Sequence, residues 1–231
     1  MSNSSQHDDS ALSHSMTDLM TSLAVVFILL LVIYLNNTYQ ETQKGSQKRL
    51  EALKAALDQA LIAQSIECEM NEKKDPLSCT IRVQDDKLQF ALNSASLAKG
   101  GQGFLHWMTP RLTAVLCSKA HRDDVEAVFI QGYTDSTGDD NNNLRLSSER
   151  SFQVLSYSLN NTNLDATRRN CLLDIASTSG RGERELITAN GKENASASRR
   201  VEFKIRVKSY ELRKTTENNL TAQFDKPKEA F

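Results

Sequence analysis

Proline and glycine are scarce, at three and nine among 231 residues. Their scarcity excludes collagen-like and proline-rich low-complexity chains. Neither sign of charge is in excess, since 28 Lys and Arg stand against 29 Asp and Glu. Affinity for phosphate backbones needs clustered surplus Lys and Arg, so no nucleic-acid partner is expected. No two of the four cysteines have C-x-x-C spacing and the four histidines are scattered, which argues against a zinc site. No Ser/His/Asp set or paired-carboxylate arrangement stands out, so neither enzymatic activity nor a cofactor is expected. What is present, 39% hydrophobic and 25% charged residues, is ordinary globular usage, enough for one or two modest domains.

The apolar residues are unevenly spread. Met16 to Leu35 reads MTDLMTSLAVVFILLLVIYL, with Asp18 its one charge and none from Leu19 onward. About twenty such residues at ~1.5 Å rise cross a ~30 Å hydrocarbon core, and Tyr34 sits where an aromatic ring prefers the interface. A cleaved signal peptide would need a basic leading region, but residues 1–15 contain no Lys or Arg, and no small-x-small site follows Leu35. The sequence therefore predicts a membrane span over 15–36, after a disordered tail over 1–14. Lys44, Lys48 and Arg49 follow the span, whereas Asp8 and Asp9 precede it; charge alone would put the N-terminus outside. Asp18, Thr21 and Ser22 share one helical stripe. Two readings of Asp18 stand: an ion-carrying carboxylate lined by Thr21 and Ser22, or a first-turn acid favoured by the helix dipole.

Residues 37–75 read as a helical linker. Leu50, Leu53, Leu57, Ala60 and Gln64 recur at three- and four-residue steps, which fits either a short coiled-coil seam or a helix lying on its own domain. Cys68, Cys79, Cys117 and Cys171 are even in number. After a membrane span this suggests two disulfides in an oxidising compartment; four reduced core thiols is the other reading. Of three connectivities, the sequence-local one joins Cys68 to Cys79 and Cys117 to Cys171.

Residues 76–208 read as a globular α/β domain, followed by a loose tail over 209–231. Strands are expected at Cys79–Val83, Lys87–Leu92 and Ala127–Gly132, and helices at Gly103–Lys119, Leu144–Leu159 and Thr167–Ile175. Arg199–Val207 alternates, with Val201, Phe203, Ile205 and Val207 on one face and Arg200, Glu202, Lys204 and Arg206 on the other, as in a half-exposed strand. Helices mixed with antiparallel-looking strands predict a two-layer α/β sandwich. The loop Asp139–Asn143 lacks the ligand order of a calcium site and reads as a solvated helix start.

Gly132-Tyr133-Thr134-Asp135-Ser136-Thr137-Gly138 is followed by Asn143, Leu146, Ser147 and Arg150. This resembles the G-x-T-D-x-x-G and N-x-x-L-S-x-x-R patterns of OmpA-like peptidoglycan-binding domains. Gly180-x-Gly182-Glu183 and Arg199-Arg200-Val201-Glu202 resemble that family's closing segments. Ser198 stands where the family usually has Asn, Ala91 where an Asp often follows the strand Phe, and Leu186 where a Pro is usual. The resemblance covers roughly residues 80–207. It implies that Asp135 takes the ammonium of diaminopimelate in a peptidoglycan stem and Arg150 its carboxylate, with Thr134 and Asn143 adding neutral hydrogen bonds. A structural Asp–Arg pair with capping hydroxyls is the alternative.

Tail, early-Asp span, linker and wall-binding domain together resemble the MotB-type stator family. The D-L-M-T-S-L run from Asp18 to Leu23, with Ser13 or Ser15 near it, is most similar to its ZorB-type branch, from Zorya anti-phage systems. The resemblance implies an inner-membrane, single-pass subunit with a cytoplasmic N-terminus and a periplasmic domain. It also implies a homodimer of spans inside a ZorA-like multi-span partner, with Asp18 carrying ions. A flagellar stator subunit and a passive envelope anchor are the alternatives.

Overall fold

The computed structural model describes residues 5–70, 75–91 and 93–209. Residues 1–4 of the expected N-terminal tail and 210–231 of the expected C-terminal tail lie outside these. The chain divides into two compact units, Met1–Lys44 and Gly45–Phe231, and helix α1 (Ser5–Leu61) contributes to both.

In the first unit α1 already begins at Ser5, ahead of the expected span. Residues 5–14, expected to be disordered, continue the helix, and no Gly or Pro interrupts it before Gly45. The large apolar side chains from Leu19 to Leu35 are 44–71% exposed. A helix apolar on every side needs a nonpolar solvent or partner helices around it. Among the described residues it is the one helix long and apolar enough to cross a membrane.

The second unit is a five-stranded sheet in the order β1-β2-β7-β3-β4. The strands are β1 (Cys68–Met70), β2 (Ser78–Gln84), β3 (Val125–Tyr133), β4 (Ala176–Gly180) and β7 (Arg200–Val207). β3 and β4 run parallel and the other pairs antiparallel. A small hairpin, β5 (Thr188–Ala189) with β6 (Lys192–Glu193), stands apart. Ile81, Phe203 and Ile130 are cross-strand neighbours on the buried face. They share one core with Leu105, Met108 and Leu116 of α2 (Lys99–Leu116) and Val154 of α3 (Asp140–Asn161). Leu172 and Ile175 of α4 (Ala166–Ile175) are also buried, and α5 (Ala195–Ser198) is a single turn before β7. This is the two-layer α/β arrangement expected.

Leu50, Leu53, Leu57 and Leu61 of α1 are fully buried in this same core. The stripe considered as a coiled-coil seam faces the unit's own sheet. The helix then tightens through Ile62–Gln64 and stops at Ser65, which adopts a left-handed conformation at φ 52°; Gln64 is exposed and outside the stripe.

Two local expectations are corrected. Lys87–Ala91 is not a strand, and Leu92 lies outside the described residues: the amides of Lys87 and Leu88 both donate to the Gln84 carbonyl, closing a turn. Leu88 drops into the core, and pairing is limited to an isolated bridge between Phe90 and Leu97. The outward face of β7 is also not half-exposed where it was expected to be. Arg200 and Glu202 are buried because the segment before β5 folds over them. Arg200 donates to Glu202 (2.7 Å), Ser198 O and Glu185 O, and stacks 3.8 Å over the Tyr133 ring. Next to them lies a groove of about 650 Å³ lined by Glu69, Thr80, Arg82 and Lys204 among others.

The disulfides are Cys68–Cys79 and Cys117–Cys171, with Cα separations of 5.4 and 6.1 Å. The first ties β1 to β2 and the second ties the end of α2 to α4.

Candidate functional site

The motif glycines explain how strand and helix meet. A Cβ on Gly132, near the end of β3, would lie 2.1 Å from the Ser147 carbonyl oxygen of α3. Gly180, its neighbour in register on β4, would strike Ser148 Oγ at 2.2 Å. Two side-chain-free positions thus let α3 lie directly on the strand ends. Ser147, fully buried, accepts the Gly182 amide at 2.9 Å, and Gly182 has a positive φ of 57°. Ser147 therefore braces the later G-x-G-E loop rather than capping a helix. The cap of α3 is Asp139, whose carboxylate accepts the amides of Asn141 and Asn142, both at 3.1 Å. Asp139 to Asn142 form the solvated helix start expected, whereas Asn143 is buried.

This packing delivers Thr134 and Asp135 from the end of β3, and Asn143 and Arg150 from α3, to one end of the sheet. Asp135 Oδ1 accepts the Thr137 amide at 3.1 Å. Its Oδ2 pairs at 2.7 Å with Arg199 Nη1, not with Arg150. Arg199 also donates through Nε to Asp85 Oδ2 at 3.0 Å, so one guanidinium bridges two carboxylates. Burial alone would push the Asp135 carboxyl up, but the hydrogen bonds from Arg199 and Thr137 outweigh it and hold the pKa below 3.8. The same bonds, to Asp135 first and then Asp85, raise Arg199.

Arg150 is 9% exposed. Its Nε donates to the Ser94 carbonyl at 3.1 Å, and its guanidinium lies 4.9 Å over the Phe90 ring. It forms no ion pair among the described residues. Burial lowers its pKa, with Asp85 opposing, Arg199 adding to the shift and Asp135 opposing again. Arg150, Arg199, Asp85 and Phe90 line one small depression.

Asn143 donates to Glu183 at 2.9 Å, and at 3.5 Å to the backbone carbonyl of Asp135. Its side chain joins the β3 turn to the G-x-G-E loop. The Thr134 amide donates to the Gly182 carbonyl. Thr134 Oγ1 is buried without a hydrogen-bond partner among the described residues, a costly state unless a ligand supplies one. Thr134, Asp135 and Asn143 meet beyond the end of β3, and Arg150 is linked to them through the charge of Asp135, while the direct Asp135–Arg150 pair is replaced by Arg199. Sequence reasoning missed the roles of Arg199, which lay in a segment it had singled out, and of Asp85, which lay between two expected strands. Ser198, standing in place of the usual Asn, accepts the Ile187 amide at 3.0 Å.

Two carboxylates and two guanidinia make a neutral, strongly dipolar cluster. Its carboxylates suit cationic groups and its guanidinia suit anionic ones. Residues 90–200 match the OmpA family. The chain carries an OmpA-family domain. Beyond that domain, the chain is 27% identical over 204 residues to Zorya protein ZorB of Escherichia coli, a match spanning 83% of this chain and 86% of that protein. A crystal structure from Desulfovibrio vulgaris, described as MotB-like, superposes on 74% of this chain and 96% of its own (TM-score 0.50, 22% identity). The periplasmic domain of Helicobacter pylori MotB aligns with 71% of this chain and 91% of its own (TM-score 0.48, 14% identity). Asp135, Arg150 and Arg199 of the charged cluster lie within the residues matched to the OmpA family, and Asp85 lies just ahead of them.

On α1, the Thr21 and Ser22 hydroxyls donate to the backbone carbonyl of Asp18 at 3.0 and 2.9 Å, and Ser22 also to that of Leu19. The polar stripe is present, with its hydroxyl protons directed to the backbone.

Proposed function

We propose that this chain is a MotB-type stator subunit, with its OmpA-family domain holding peptidoglycan and Asp18 carrying ions through the span. Arg150 is the observation that carries the wall-binding part. A guanidinium nine-tenths buried without an ion-pair partner among the described residues is costly unless an anion meets it. A diaminopimelate carboxylate would supply that anion, its ammonium would reach Asp135, and Thr134 and Asn143 would border the ligand. The motor part is supported by the similarity to Zorya protein ZorB, which extends well beyond residues 90–200. By the same resemblance two copies pair their spans within a ZorA-like multi-span partner, and the activity serves anti-phage defence. The two disulfides favour an oxidising compartment for the domain. They support a periplasmic C-terminus and a cytoplasmic N-terminus in the inner membrane, against the Lys44, Lys48 and Arg49 charge bias.

Co-sedimentation of the detergent-solubilised full chain with purified cell-wall sacculi tests the site. Asp135→Ala and Arg150→Ala each abolish co-sedimentation while both disulfides remain formed. Retained binding in both variants would remove the site assignment. A passive anchor is the second reading, favoured by the Thr21 and Ser22 hydroxyls donating to backbone rather than to the Asp18 carboxylate. It predicts unchanged activity in Asp18→Asn. Loss of swimming rather than of phage protection would point to a flagellar stator.

A further inference from the structure

The two arginines of the cluster are held in opposite ways. Arg150 is buried, with one bond to a backbone carbonyl and an aromatic ring beneath it. The side chain of Arg199 is 36% exposed and engages two separate carboxylates through different edges of its guanidinium, Nε toward Asp85 and Nη1 toward Asp135. It can release one carboxylate and keep the other. Asp135 does not depend on Arg199 for its orientation, because the Thr137 amide holds its second oxygen.

We infer that Arg199 is a built-in competitor for the ligand's ammonium group. It occupies the cation position at Asp135 until an ammonium displaces it, and Asp85 retains its guanidinium afterwards. Asp85 is therefore a positioning residue that acts chiefly through Arg199, beside its weaker pull on Arg150. The inference rests on the wall-binding reading above and deepens it into a rule of selectivity. A ligand bearing only an ammonium exchanges one cation for another at Asp135 and gains little. A ligand bearing only a carboxylate reaches Arg150 and leaves the Arg199–Asp135 pair closed. A zwitterion makes both contacts at once, and the new bond at Arg150 offsets the pair that is opened.

The test is calorimetric titration of the full chain in detergent with a synthetic muropeptide containing meso-diaminopimelate. The same muropeptide with the side-chain amine acetylated serves as the second probe. Arg199→Gln tightens binding of the free-amine probe by about two- to fivefold, the range of one partly exposed ion pair. It leaves the acetylated probe unchanged. Asp85→Asn weakens binding by a similar factor, and Asp85→Glu restores most of it. In the Asp85→Asn/Arg199→Gln double variant most of the Asp85 effect disappears, because its main route is through Arg199. Arg199→Lys, a single point charge that cannot fork between two carboxylates, binds between wild type and Arg199→Gln and guards against misfolding of the neutral variant. Weaker binding by both Arg199→Gln and Arg199→Lys would overturn the inference and make Arg199 a direct ligand contact. A full Asp85 effect persisting without Arg199 would also overturn it. Failure of wild type and every variant to bind either probe would instead remove the wall-binding reading, and the competitor with it.

Discussion

Upstream of Lys44, helix α1 turns Leu, Ile, Val and Phe outward on every side. Downstream of Gly45 the same helix hides Leu50, Leu53, Leu57 and Leu61 completely and leaves Glu51, Ala55 and Gln59 exposed. The backbone is alike in both halves, and only the angular distribution of apolar groups differs. Where they surround the axis, no single protein face can cover them, and the segment needs a nonpolar solvent or several helices. Where they fall at three- and four-residue steps they form one stripe, which one sheet can cover. Charge follows the same division: Asp18 is the one charged residue of Met16–Leu35, whereas the second unit carries its ion pairs around a core.

A carboxylate placed in each half separates the two rules most sharply. Leu57→Asp puts an unpaired charge in the core and should cost more than about 4 kcal/mol, leaving the second unit unfolded by near-UV dichroism. Phe27→Asp should leave thermal unfolding of the second unit unchanged and deplete the chain from membrane fractions, since a central Asp costs about 2.5–3.5 kcal/mol in a span. Equal effects of both substitutions on unfolding would erase the distinction. The disulfides come next. Breaking either one by paired Cys→Ser changes should cost about 2–5 kcal/mol in denaturant unfolding. Cys117–Cys171 closes a separation of 54 residues against 11 for Cys68–Cys79, so its loss should cost roughly 1 kcal/mol more. The smallest effect is acid sensitivity. For Asp75, burial raises the pKa, but Lys204 and Arg206 outweigh it, so Asp75 and Asp135 are both held below 3.8. Their contribution to stability is complete above the unfolded value and is lost as pH falls through the depressed folded values. Urea midpoints should therefore be flat above about pH 5 and fall below pH 4, less steeply in Asp75→Asn.

Long periodic segments were legible in the sequence. β3, α3, α4 and β7 lie within a few residues of where the sequence puts them; β3 and β7 carry enough apolar core positions to define their own period, whereas α3 buries mainly Asn, Ser and Arg around Val154. β1 and β4 were not legible. CEM and ASTSG contain no alternation, and they are strands because β2 and β3 supply partners. Lys87–Leu92 has strand-like composition, but the turn at Gln84 directs it away from the sheet. At the site, the fifteen-residue interval from Asp135 to Arg150 was readable as strand end plus helix, and both residues arrive at one place. The bridge through Arg199 was not readable. It joins Asp85 and Asp135 across 114 and 64 residues, and no local rule encodes which of several arginines meets a given carboxylate. The burial of Arg200 and Glu202 was hidden for the same reason, since the covering segment belongs to another part of the chain.

Asp18→Asn tests the account most directly. Asparagine matches aspartate in size and caps helices equally well, but it cannot alternate between charged and neutral forms. The measurement is phage protection in cells carrying the partner membrane subunit, alongside the membrane level of the variant and its co-purification with that partner. The account predicts normal level, normal co-purification and complete loss of protection, with partial protection in Asp18→Glu. Full protection by Asp18→Asn at normal membrane level would contradict it and leave a wall-anchoring membrane protein without a motor.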